Sequence, residues 1–103
     1  ISSDAFVGIE PVAAVPNDII LFPNYPNPFN PETTFSFNIG SSHETSLRIY
    51  DIQGRLIEIL IQDKISPGFH NMTWNASEVA TGVYFVKLIS GEKIKARKIM
   101  VLK

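Results

Sequence analysis

The chain has 103 residues, 45% apolar and 18% charged, with seven phenylalanines, three tyrosines, one tryptophan, no cysteine and a formal net charge of −1. This length holds one domain with a small core, and the apolar content lies well above the disordered regime. Disulfides and thiolate metal sites are excluded, the charge balance argues against nucleic-acid binding, and no apolar run reaches the ~18 residues of a membrane-spanning helix.

Residues 1–18 contain Pro11 and Pro16, small residues between them and no sustained period, and they read as a linker or the remnant of a preceding domain. They lack the basic and apolar regions of a signal peptide. The chain begins Ile1-Ser2-Ser3 with no initiating methionine, as expected of the C-terminal part of a longer protein whose export signal lies far upstream. Residues 19–103 read as the folded domain. Ile19 to Phe22 form a short first strand stopped by Pro23. The stretch Asn24-Tyr25-Pro26-Asn27-Pro28-Phe29-Asn30-Pro31 follows. Each proline fixes its own φ and pushes the preceding residue out of helical geometry, so the segment is expected to be a rigid, largely extended edge or loop. Tyr25 and Phe29 are placed to plug the open end of the fold, with Phe29 as the anchor. Thr33 to Ile39 then alternates apolar and polar residues, the pattern of a strand with one buried face.

Downstream, glycines at 40, 54, 68 and 82 punctuate the chain, and Gly91 closes the series. Gln53-Gly54 and Pro67-Gly68 read as tight turns. The segments between them follow period two, with Leu47 and Ile49, Met72 and Trp74, and Tyr84, Val86 and Leu88 inward, and with Tyr50 and Phe85 outward. Regular short strands of this kind predict an all-β antiparallel sandwich or barrel of about seven strands. Two segments depart from simple alternation. Leu56 to Ile61 is apolar on both faces, which predicts either a central strand or one covered by the proline-rich segment. The last strand changes phase between Ile94 and Ile99, which predicts a β-bulge near Arg97-Lys98.

No lysine or arginine precedes Arg48, whereas Lys87, Lys93, Lys95, Arg97, Lys98 and Lys103 cluster in the last strand pair and read as a basic stripe or as the guard of an edge strand. Catalytic chemistry has little to draw on. His43 reads as a solvated loop residue, and His70 as a strand histidine satisfied by a backbone carbonyl. Asp51 and Asp63 stand singly, as turn residues bonding the backbone do. No catalytic group, metal or cofactor is expected. Asn71 and Asn75 begin two acceptor-like tripeptides that read as accidental. Tyr25, Phe29, Tyr50, Trp74, Tyr84 and Phe85 would stack on a saccharide if several were coplanar and exposed. The alternative function is therefore an interaction or carbohydrate-binding module.

The motifs also resemble a known family in their order. Asn24 to Pro31 with Thr33-Thr34, Leu47 to Arg55, Gly68-Phe69-His70 with Thr73-Trp74, Thr81 to Phe85, and the terminal Arg97 to Lys103 are similar to type A C-terminal sorting domains, the carboxyl-terminal domains of proteins exported by the type IX (Por) secretion system. Those domains are similar in turn to the Ig-like domain of the flagellar hook-capping protein. Asn75-Ala76-Ser77 and Val79-Ala80-Thr81-Gly82 depart from the common pattern at a turn. The resemblance implies an Ig-like β-sandwich without catalytic activity that directs an N-terminal passenger, through the periplasm, to an outer-membrane translocon and the cell surface. A sortase-like protease then removes it. It implies structural roles for Asn24, Pro26, Asn27, Pro28, Phe29, Asn30, Pro31, Gly54, Gly68, Trp74, Gly82 and Tyr84. Recognition by the translocon is assigned to Lys93, Lys95, Arg97, Lys98 and Lys103, and a monomer is expected.

Overall fold

The computed structural model describes residues 18–102, so Lys103 and the linker expected over residues 1–18 lie, apart from Asp18, outside the described residues. Seven strands follow in chain order: β1 (Ile19–Leu21), β2 (Glu32–Ile39), β3 (His43–Asp51), β4 (Leu56–Ile65), β5 (Gly68–Asn75), β6 (Gly82–Ser90) and β7 (Lys93–Val101). There is no helix among the described residues. The strands form two antiparallel sheets, ordered β1-β2-β5 and β4-β3-β6-β7, and the fold is the expected Ig-like sandwich.

Period two builds the core. Thr33, Phe35, Phe37 and Ile39 turn to one face of β2, while Leu47, Ile49, Trp74, Tyr84, Val86 and Leu88 come from the strands around it, and all are buried. Tyr84 adds a hallmark of Ig-like sandwiches, its hydroxyl donating back to the Ala80 carbonyl four residues upstream at 2.7 Å. His70 is the expected strand histidine with a backbone carbonyl partner: Nε2 lies 2.8 Å from the Ser66 carbonyl, and the ring also stacks on Phe37 at 5.5 Å.

The β3–β4 turn follows from its residues. Gly54 has φ +85°, a left-handed conformation that glycine adopts without steric cost. Asp51 Oδ1 accepts the Gln53 and Arg55 amides, both at 2.9 Å, and Oδ2 meets Arg55 Nε at 2.8 Å. The bond from the Arg55 amide, aided by those from the Arg55 side chain and Gln53, lowers the Asp51 pKa below the usual aspartate value. A depressed folded-state pKa makes this contribution fully present above the unfolded value and lost as pH falls through the folded one. Asp63, in contrast, lies inside β4 and not at a turn.

Three expectations need correction. β4 is neither central nor covered by the proline-rich segment; it is the edge of the four-stranded sheet, with Leu56, Ile57 and Ile59 exposed. Register shifts opposite Leu47/Arg48 and Ile49/Tyr50 interrupt its alternation, so Leu60 and Ile61, adjacent in sequence, both pack on the core. β7 contains no bulge, since it pairs without a shift from Gly82↔Val101 to Ser90↔Lys93. Its phase change reflects burial instead: Ile94 and Ala96 face outward, while Lys93, Lys95 and Arg97 share the inner face with Ile99 and Val101. The facing edge strand β1 is only three residues long, and residues 93–98 are all exposed. Lastly, Tyr25 does not plug the sandwich, being 82% exposed.

Candidate recognition surface

The proline-rich segment is a loop that ties the two sheets together at one end. The peptide bonds before Pro26, Pro28 and Pro31 are cis. Tyr25 exchanges backbone bonds with Thr34 of β2 at 3.1 and 3.0 Å. Asn24 is buried and satisfied: its Nδ2 donates to Thr33 Oγ1 at 3.0 Å and to the Pro26 carbonyl at 3.2 Å, and Thr33 Oγ1 donates to that same carbonyl at 2.7 Å. This pair was not anticipated beyond the motif itself. The only cue was a threonine on the apolar register of β2.

Three residues later the loop reaches the other sheet. The Phe29 amide donates to the Met100 carbonyl at 3.2 Å, the Leu102 amide donates to the Phe29 carbonyl at 3.0 Å, and the Met100 amide donates to Asn27 Oδ1 at 3.1 Å. These bonds form a parallel bridge on the outer edge of β7. The Pro31 carbonyl accepts the Ala76 amide at 2.8 Å, which fastens the loop to the turn after β5. The Phe29 ring inserts between the sheets with 2% of its surface exposed and meets Trp74 edge-on at 5.8 Å. Phe29 is thus the expected anchor. Pro28 and Asn30 are exposed.

Trp74 is the centre of this end, in aromatic contact with Phe35 at 6.5 Å and Tyr84 at 6.2 Å as well as Phe29. Its indole nitrogen donates to Glu58 Oε1 at 2.9 Å, across the open side of the sandwich. Glu58 is the single charge within the apolar run of β4, and that was the signal available for it. With Trp74 and Tyr84 buried, the set of aromatics proposed for saccharide stacking is reduced. Tyr50 and Phe85 do face outward, paired across β3 and β6, and line an open depression of about 280 Å³ with Ile52, Gly54, Lys87 and Ala96. Lys87 Nζ lies 4.9 Å from the Tyr50 ring centroid.

The basic residues do not form one stripe. Lys93, Lys95 and Arg97 stand on the inner face of β7, whereas Lys98 stands on the outer face opposite Phe85. Arg97 has a structural task as well: its Nε donates to the Leu21 carbonyl at 2.7 Å and so links β7 to β1 across the sheets. Among the described residues no group of three or more His, Asp or Glu side chains is arranged to hold a metal ion. No described helix is long and apolar enough to cross a membrane.

Comparison with known proteins agrees with this geometry. No curated protein sequence matches the chain. Among solved structures, the chain is similar to PorZ, an essential bacterial surface component of the type-IX secretion system of Porphyromonas gingivalis, with 29% identity and a TM-score of 0.56 over 81% of this chain and 11% of that one. Dimeric latent PorU from the same organism shares the fold at 20% identity, with a TM-score of 0.61 over 97% of this chain and 10% of that one. The chain therefore spans about a tenth of the length of the structures it matches. The model of the secretion system C-terminal sorting domain family matches residues 24–102, from the proline loop through β7. With that match covering most of the chain and every element from the proline loop to β7, the protein belongs to the secretion system C-terminal sorting domain family, the sorting signals of type IX secretion.

Proposed function

We propose that this domain is the removable address of a larger exported protein. A passenger lies N-terminal to it, the type IX outer-membrane translocon reads the folded sandwich after periplasmic transit, and a sortase-like protease cuts within residues 9–19. The domain itself carries out no catalysis. The family match over residues 24–102 is the observation that carries this reading.

The physical fit supports it. An address must present a fixed surface, and the proline loop fixes one end of β7 through Asn27 and Phe29. The basic residues Lys93, Lys95, Arg97, Lys98 and Lys103 are proposed as the recognised charges. Arg97 is unsuited to testing this, because its bond to Leu21 ties charge to stability. Lys93 and Lys95 are exposed, and reversing exposed charges costs little. Lys93→Glu with Lys95→Glu is expected to shift the melting midpoint by no more than about 3 °C while reducing surface delivery of a fused passenger in a type IX-competent host. Undiminished delivery by that stable variant contradicts a role for these charges. Persistence of the domain on the mature extracellular protein favours a binding module instead.

A further inference from the structure

β7 is an edge strand whose outer side is filled only at its end. In a strand, the amide and carbonyl of one residue point the same way and those of the next point opposite. Met100 directs both groups away from β6, toward Asn27 and Phe29. By the same alternation the groups of Ile94, Ala96 and Lys98 also point off the edge, and none of them has a backbone or side-chain hydrogen-bond partner among the described residues. Six consecutive residues, 93–98, are exposed, with Ala96 presenting only a methyl group at the centre. The in-chain bridge at Val101 shows that this edge accepts a strand, and pairing stops where the loop turns away.

Resting on the sorting reading above, we propose that the β7 edge from Ile94 to Lys98 receives an extended segment of the export machinery as an added strand, continuing the line that Phe29 begins. Three outward-pointing residues correspond to an incoming strand of about five residues. Charge sets its chemistry. Lys93 and Lys95 on one face and Lys98 on the other call for carboxylates at matching positions, and small apolar residues fit beside Ile94 and Ala96. The same basic residues disfavour a second copy of this chain, since antiparallel pairing of two β7 edges centred on Ala96 sets Lys95 against Arg97.

The test is Ala96→Pro in a passenger fusion. Proline at 96 removes one open edge amide and fills the space an added strand needs, yet breaks no bond to β6, because those are made by the alternate residues. Ala96→Ser, which keeps the amide, is the control. Ala96→Pro is expected to retain the wild-type circular dichroism and a cooperative unfolding transition while lowering delivery at least tenfold, with Ala96→Ser unchanged. Wild-type delivery by a folded Ala96→Pro overturns strand addition and leaves the sorting reading intact; failure of the wild-type fusion itself overturns both. Hydrogen exchange on the wild-type domain gives an answer even if Ala96→Pro fails to fold. With purified translocon from a type IX-competent host as the probe, the amides of Ile94, Ala96 and Lys98 should slow at least tenfold. Unchanged exchange overturns the proposal, as does protection that rises with domain concentration alone, which would identify a second copy as the occupant.

Discussion

Trp74→Ala is expected to cost about 3–5 kcal/mol of unfolding free energy, the largest single effect in the domain. The indole is 2% exposed and touches Phe35 of its own sheet, Tyr84 of the opposing sheet and Phe29 of the proline loop. Its removal leaves a cavity bordered by rings held in three separate segments, which cannot all collapse inward without breaking ladder bonds. The loss falls on a small reserve, since a domain of this size has a total stability of roughly 5–10 kcal/mol. Urea denaturation measures the cost, and iodide quenching of the wild-type protein checks the burial independently. A cost below about 1 kcal/mol, or strong quenching, contradicts the position of Trp74 in the core.

Phe29→Ala is expected to cost about 3 kcal/mol or more, and its consequences should reach the end of the chain. Phe29 is the one apolar side chain of the proline loop in the core, and its backbone holds Met100 and Leu102. Without the ring, the loop loses its anchor and its hold on β7 is left to the two Phe29 backbone bonds and the bond from the Met100 amide to Asn27 Oδ1. Amide exchange at Leu102 should therefore accelerate more than exchange in the β3–β6 centre. Glu32→Ala, at the exposed first position of β2 just after the loop, should stay within about 0.5 kcal/mol. Equal losses from the two substitutions contradict the anchoring role.

What was legible in the sequence was legible through period two. β2 and β6 each bury one face, as does β3 from Leu47 onward, and the inward residues there follow from alternation alone, as does the carbonyl partner of His70 from its place in a strand. The turn chemistry of Asp51 and Gly54 was equally local. The errors arose where tertiary context decides. In β4 two register shifts let consecutive apolar residues serve the core, so apolarity on both faces signified irregular pairing at an edge and not a central position. In β7 the apparent slip came from applying a burial rule to a half-strand that the short β1 leaves in solvent. Tyr25 and Phe29 both look apolar between prolines, and only the path of the loop separates an 82% exposed ring from a 2% exposed one. Among the basic residues, alternation puts Lys95 and Arg97 on the face opposite Ile94 and Ala96. It had no means of revealing that Arg97 crosses to Leu21, a contact 76 residues away in sequence.

The most direct measurement is surface delivery of a passenger joined to the N-terminal side of this domain, scored in a type IX-competent host beside an isogenic host without the translocon. Folded wild-type domain should carry the passenger to the surface only in the competent host, and Trp74→Ala, which removes a large share of the stability of the address, should reduce delivery. Passenger retained inside competent cells by a folded wild-type domain, or delivered equally well without the translocon, contradicts the assignment of this sandwich as a sorting signal.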